Sequence, residues 1–292
     1  MSLSILTNVS ALEIQQNLLN SSNSVAMSMQ RLSSGLQINS AADDPAGYTI
    51  SQSLTAQVNG LNQATNNVGD ATSMVQTAEG SLQGVQGMLQ EMRELAVQYA
   101  NGSQTAQDQT SIQGSVNQLT QEIDRERSAS SFNGQNLLDG TVNGGTSGTT
   151  VTYQVGANQG NTLTATFSDI EGTSGMSTGF SWGSSSVNAT SGGTVFDLSQ
   201  TNAISNLDAA INNISAMASS LGSIQDRLQF TSDAIATTTQ NMTSANSQIT
   251  DVNMASETTQ LSQQQVLQQA GTAMLAQAQQ QPQLILKLLQ NL

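Results

Sequence analysis

Side-chain chemistry would first be sought at two close pairs of carboxylates, Asp43-Asp44 and Asp124 with Glu126. Paired acids do general acid and base work when their surroundings hold one protonated and the other ionised. Each pair here has a plainer reading. Asp44 stands before Pro45, as an N-cap stands before a proline at the first helical position. Asp124 and Glu126 read as part of a solvated helix face. The chain has no His and no Cys. A zinc site, a haem, a thiol nucleophile or a Ser-His-Asp triad therefore has nothing to be built from. No catalytic, metal or cofactor site is expected, and Asn188-Ala189-Thr190 is the one N-glycosylation pattern singled out.

Composition narrows the rest. The 292 residues are 36% hydrophobic, 9% charged and 3% aromatic, and nearly half are Ser, Thr, Asn or Gln. Six bases face twenty acids, a net charge of −14. A nucleic-acid partner needs a basic footprint, and none exists. No apolar run approaches the roughly 18 residues of a membrane span. Met1 to Gln16 does not read as a secretory signal. Residues 1–40 hold only Glu13 and Arg31, and residues 253–292 only Glu257 and Lys287, so all of the net charge lies in 41–252. Neutral amphipathic ends suit packing inside an assembly, because buried charge is costly and buried Gln can find partners.

The elements that position these residues follow from a seven-residue period. Leu61, Val68, Val75, Leu82, Leu89 and Ala96 form one series, and Ala64, Ala71, Ala78, Val85, Met92 and Tyr99 a second, three residues on. In the other half Leu207, Ile214, Leu221, Leu228, Ile235, Met242 and Ile249 repeat the pattern, accompanied by Ala210, Met217, Ile224, Thr231, Thr238, Ala245 and Val252. These are a and d positions of coiled-coil helices. Gly35 reads as a helix C-terminus, Pro45 as the next start and Asn101-Gly102 as a stop, with a shorter helix over roughly 105–129. Residues 132–197 lose the heptads. There Val151, Tyr153 and Val155 alternate with polar residues, and Leu163, Ala165 and Phe167 do the same after a turn. The expected fold is mainly α with a small β-rich insert. Its N- and C-terminal segments would pair as a long antiparallel coiled-coil rod in an elongated, multi-domain subunit. Neutral helices without partners are marginal, so the ends are expected to be unfolded before assembly.

Residues 30–51, QRLSSGLQINSAADDPAGYTIS, closely resemble the N-terminal signature of bacterial flagellins, as do Arg93 to Gln98 and Phe132-Asn133-Gly134. Leu267 to Leu289 resembles the flagellin C-terminus. The resemblance implies a structural subunit of the extracellular flagellar filament, not an enzyme. It implies homo-oligomers as the main partnership, with an export chaperone, a filament cap and hook-junction proteins as further partners. It also implies a layered subunit. Residues 1–40 and 253–292 would be inner-core helices, 41–140 and 198–252 the two parts of the rod, and 141–197 a variable outer domain. Leu12, Leu19, Leu32, Leu267, Met274, Leu284 and Leu288 are then the expected assembly core. Ser and Thr of 141–199 would be O-glycan acceptors, as in some flagellins.

Host innate receptors also read this family. Arg93, Leu95 and the helix surface near Glu122 match the element sensed by the animal receptor, but Glu91 reverses a common basic residue. In the segment perceived by plants, Ala42 replaces a common lysine. Weakened animal recognition is expected. Two other readings are a hook–filament junction adaptor with similar ends and a secreted coiled-coil effector. The paired terminal signatures favour the filament subunit over both. The zinc motif of flagellins with a metallopeptidase insert cannot be present without His.

Overall fold

A computed structural model describes residues 8–142, 149–170 and 196–290, with Thr149 and 281–290 described by backbone alone. The Asn188 pattern and most of the Ser/Thr-rich insert lie outside the described residues. Helices α1 (Val9–Ser34), α2 (Pro45–Tyr99) and α3 (Ala106–Ala129) come first. Strands β1 (Ser131–Phe132), β2 (Gln135–Asn136), β3 (Thr149–Gln154) and β4 (Thr162–Phe167) follow, and α4 (Ala203–Thr250) and α5 (Met254–Gln290) end the chain. Two compact units form: Met1–Ala56 with Gln240–Leu292, and Gln57–Thr239.

In the Gln57–Thr239 unit the heptads are the core. Leu61, Val68, Val75, Leu82 and Leu89 of α2 are at most 7% exposed. Leu207, Ile214, Leu221, Leu228 and Ile235 of α4 are buried as well. The two helices run antiparallel. Gln86 Nε2 donates to Ser215 Oγ at 3.3 Å, and Arg93 Nε donates to Asp208 Oδ1 at 2.5 Å. Seven residues forward on α2 is thus seven residues back on α4. The companion series on α4 fades: Ala210 and Ile224 are buried, whereas Thr231 is half-buried and Thr238 exposed. A threonine at such a position adds little apolar area to the seam, so nothing draws it in.

Helix α3 opens with a reciprocal cap between Thr105 and Asp108 and buries Ile112, Val116, Thr120 and Ile123. Its Gln113 clamps the returning chain, donating to Phe196 O at 2.6 Å and accepting from Leu198 N at 2.9 Å. After α3, Asn133 (φ 50°) and Gly134 (φ 78°) turn β1 into β2. Two positive-φ residues of this kind match the twist of a tight hairpin. The chain then buries Leu137 and Leu138.

The β3–β4 hairpin is antiparallel, from Thr149 opposite Phe167 to Gln154 opposite Thr162. Strand β4 buries Leu163, Ala165 and Phe167 and exposes the residues between, as period-2 alternation requires. Val155 lies just past β3, where its N–H closes the turn on Asn161 O. The hairpin lies along α2. Tyr153 donates its hydroxyl to Met74 Sδ at 2.9 Å, and Asn67 Nδ2 donates to Gln154 O at 2.9 Å. Burial pushes the Tyr153 hydroxyl up to about 12. A raised phenol pKa contributes stability that is complete below the unfolded value, near 10, and is lost as pH climbs through 12. A partial loss of this unit's stability is therefore expected between about pH 10 and 12. Tyr153→Phe should flatten that loss, as followed by circular dichroism.

Glycines along α2 separate two situations. At Gly69, Gly80, Gly84 and Gly87 an added Cβ would have no atom within 4 Å. Gly84→Ala is expected to stabilise by ~0.5–1 kcal/mol through helix propensity and a less free unfolded chain. At Gly60 a Cβ would stand 2.9 Å from the Ala157 Cβ and 3.1 Å from its Cα. Gly60→Ala should therefore destabilise. Thermal melts of the two variants should move in opposite directions, and a shared direction would refute the seating of the hairpin on α2.

In the other unit α1 and α5 pair antiparallel. Asn8 caps α1 by accepting from Ala11 N and also donates to Ala278 O at 2.8 Å. Further along, Ser21 Oγ donates to Gln264 O at 3.0 Å. Gly35 ends α1 in the left-handed conformation (φ 74°). Beyond it the chain makes a short antiparallel contact, with Gln37 N donating to Thr250 O at 2.6 Å and Val252 N to Gly35 O at 3.0 Å. Ala46 N donates to Asp44 Oδ1 at the start of α2. The neighbouring Asp43 carboxylate accepts from Ser40 and Asn39, bonds that hold it below the usual carboxylate range. The ends, expected to be unfolded before assembly, are helical in this single chain, where each supplies the other with a partner.

Candidate functional site

Among the described residues no group of three or more His, Cys, Asp or Glu is placed to hold a metal ion. No described helix is long and apolar enough to cross a membrane. A cavity of about 140 Å³ lies among Leu82, Leu137, Leu138, Phe167, Met217 and Leu221. Thr166, Ser168 and Ser220 also line it.

What stands out is exposed apolar surface and its location. Val9, Leu12, Leu19, Met27, Met29, Ile50, Met254, Val266, Leu267 and Met274 are about half exposed or more, and all lie in the α1–α5 unit. The Gln57–Thr239 unit shows only Val97 and Phe230 among its described residues. Scattered single exposures are ordinary, whereas a concentration of them marks an interaction surface.

The helical period organises this surface. The seam of α1 that faces α5 is Ile14, Leu18, Ser21, Val25, Ser28 and Leu32, each buried or half-buried. On α5 the matching positions are Glu257, Leu261, Gln264, Gln268, Gly271, Leu275 and Ala278. Both series step by three and four residues, the spacing of a coiled-coil seam. At about 100° per residue, Val9, Leu12, Leu19 and Met27 fall within about 80° of one another, on the side of α1 opposite its seam. Leu267 and Met274 sit seven apart on a flank of α5. The coil therefore has one apolar stripe for its own partner helix and another left over.

The expected assembly residues separate accordingly. Leu12 (60%), Leu19 (58%), Leu267 (50%) and Met274 (57%) lie on the outward stripes. Leu32 faces the internal seam and is half-buried. The side chains of Leu284 and Leu288 lie outside the described residues. Of the rod heptad positions, Leu61 to Leu89 and Leu207 to Ile235 are buried in the Gln57–Thr239 unit. Met242 and Ile249 are half-buried in the other unit.

Sequence reasoning missed the seam between α1 and α5. Its core positions are occupied by Ser21, Ser28, Gln264, Gly271 and Glu257, so a search for apolar residues alone passes over it. The spacing of three and four was the available signal. Glu257 is 7% exposed, and its Oε1 and the Arg31 Nε are both buried without a hydrogen-bond partner.

The residues matched to receptor recognition lie in the Gln57–Thr239 unit. Arg93 is about half exposed and bound to Asp208, which raises its pKa above the usual guanidinium value. Leu95 is half-buried. Glu122 is exposed and paired with Arg125 at 2.6 Å, a bond that holds its carboxyl below the usual range. Glu91 is exposed.

Comparison with known proteins agrees with this arrangement. Residues 5–143 match the bacterial flagellin N-terminal helical region, and 204–289 match the bacterial flagellin C-terminal helical region. The chain is 40% identical to the flagellar filament 33 kDa core protein of Treponema phagedenis over 97% of this chain and 98% of that one. It is 39% identical to a flagellin of Halalkalibacterium halodurans over the same shares. It is 37% identical to a flagellin of Bacillus subtilis, again over 97% and 98%. Helical regions matched at both ends, with relatives aligned along nearly the whole chain, show that it belongs to the bacterial flagellins, the non-enzymatic structural subunits of the extracellular flagellar filament.

Proposed function

We propose that the leftover apolar stripes of the α1–α5 coil are the surfaces through which subunits join. Leu12 and Leu19 on α1 and Leu267 and Met274 on α5 make the contacts, and Leu32 holds the coil together from inside. In this reading residues 1–40 and 253–292 are the inner core of the filament, and Leu284 and Leu288 belong to it. The α2 and α4 heptads, from Leu61 to Leu89 and from Leu207 to Ile249, pack the rod, and 141–197 are the variable outer domain. The observation that carries the proposal is the concentration of exposed apolar residues on a nearly uncharged pair of helices. A patch on one helix meeting a different patch on a neighbour is a heterologous contact, which grows without closing and yields a filament.

The absence of cysteine supplies the test. A single cysteine at Leu12 or Leu267 is the only thiol in the chain. It is expected to be alkylated fast in monomers and at least about tenfold slower after polymerisation, because assembly removes it from water. Equal rates in both states would refute the surface.

We further propose, from the resemblance, that an export chaperone, a filament cap and hook-junction proteins engage this chain. Recognition by the animal innate receptor through Arg93, Leu95 and the Glu122 surface is weakened by Glu91 and by the bond from Arg93 to Asp208. Low potency in a reporter-cell assay, raised by Glu91→Arg, would support this. Full potency of the unmodified chain would reject it.

A further inference from the structure

We infer that Met27 and Met274 are oxidation sites that govern assembly: their thioethers, once converted to sulfoxides, block the outward stripes of the α1–α5 coil. The inference rests on the reading of those stripes as joining surfaces. Six methionines have clearly different fates in the described structure. Met74 and Met92 are 5% and 0% exposed inside the Gln57–Thr239 unit, and the Met74 sulfur already accepts the Tyr153 hydroxyl. Met27, Met274 and Met29, by contrast, are 49%, 57% and 52% exposed in the other unit, as is Met254 at 52%.

Position separates the exposed four again. Met27 shares the outward stripe of α1 with Leu12 and Leu19, and Met274 stands one heptad from Leu267 on α5. Met29 lies about 120° around the helix from the middle of the α1 stripe, toward the seam, and Met254 about 140° from Leu267. Only the first two therefore place a sulfur on the proposed joining surface.

The chemistry needs a peroxide as oxidant. A sulfur lone pair attacks one peroxide oxygen, the O–O bond breaks and an S–O bond forms. The departing hydroxide takes the remaining proton and leaves as water, so the thioether loses two electrons and the peroxide gains them. A flexible apolar side chain becomes a polar one with a strong acceptor oxygen. Buried between subunits, that oxygen would lose water without gaining a donor, and such a loss is costly. The reaction is reversible by methionine sulfoxide reductases. Assembly itself would shield both sulfurs, so the switch acts on the subunit before it joins.

The test uses the full chain, hydrogen peroxide and seeded filament growth, each variant read as treated over untreated rate. Treated wild type is expected to grow about tenfold slower or worse, and sulfoxide reductases should restore it. M29L/M254L should remain as sensitive as wild type, while M27L/M274L should lose the sensitivity. In preformed filaments, peptide mass spectrometry should find Met27 and Met274 oxidised several-fold more slowly than in monomers. Equal sensitivity of M27L/M274L and wild type would overturn the inference. Full growth of wild type with both sulfurs shown to be oxidised would do the same. The underlying surface is judged separately, by growth of untreated L19Q/L267Q. Normal growth of that variant overturns the surface, whereas its failure beside peroxide-insensitive wild type overturns the switch alone.

Discussion

Replacing Leu19 and Leu267 together with glutamine is expected to raise the critical concentration for filament growth by about 10- to 150-fold. Both side chains are at least half exposed in the single subunit, so each has about half its area left to bury. Full burial of a leucine stabilises by ~1.5–3 kcal/mol, and half of that, twice over, comes to roughly 1.5–3 kcal/mol per subunit. Each ~1.4 kcal/mol is a factor of ten in the equilibrium. The melting of the Gln57–Thr239 unit should not change, because neither residue belongs to it. Sedimentation of polymer at a series of protein concentrations measures the shift. A critical concentration within about threefold of wild type would mean that these leucines do not meet a neighbour.

The second large effect is internal. Leu82→Ala is expected to cost ~3–5 kcal/mol of stability, toward the upper part of the range for a buried leucine. Leu82 is fully buried on α2 and already borders the cavity among Leu137, Phe167 and Leu221. Truncation would enlarge existing empty space, and the facing helices are held in register on one side by Gln86–Ser215 and Arg93–Asp208. Collapse to refill the space is therefore hindered, and the cost grows with the volume left behind. Urea denaturation should show a lower midpoint with an unchanged slope. A loss under about 1 kcal/mol would show that the site repacks. This variant should fail to polymerise only where it unfolds, whereas L19Q/L267Q should fail while folded.

These two residues also show what was legible in the sequence. Leu82 stands in a strict seven-residue series of apolar side chains, and burial of such a series follows from helical geometry alone. The same logic located Gly35 as a helix end and Pro45 as a start, since left-handed glycine and N-terminal proline are local conformational facts. Leu19 was legible as apolar but not as outward-facing. Its orientation depends on which side of α1 meets α5, and that seam is built partly of Ser21, Ser28, Gln264 and Gly271. Small and polar residues at core positions give no hydrophobic signal. They work here because Ser21 donates to a backbone carbonyl and because Gly271 lets the Leu18 side chain approach, to 3.1 Å from where a Cβ would be. Thr238 shows the reverse failure. The heptad count included it, but a weakly apolar side chain does not enforce burial.

The charge distribution links the two units to their roles. The Gln57–Thr239 unit can carry acids such as Glu91 and Glu122, because surface charge costs little in water. The α1–α5 coil carries only Glu13, Arg31, Glu257 and Lys287, and among these Glu257 Oε1 and Arg31 Nε are buried without a hydrogen-bond partner. Few charges on a joining surface mean little desolvation cost when neighbours meet. Assembly strength in this account comes from apolar area, so polymer stability should depend only weakly on salt.

The most direct test of the central claim is seeded growth, viewed by electron microscopy, of the full chain beside a chain lacking residues 1–40 and 253–292. The account predicts long helical filaments from the full chain. From the shortened one it predicts monomers whose Gln57–Thr239 unit still melts cooperatively. Filaments growing equally well from the shortened chain would contradict it, because the joining surfaces would then lie outside the α1–α5 coil.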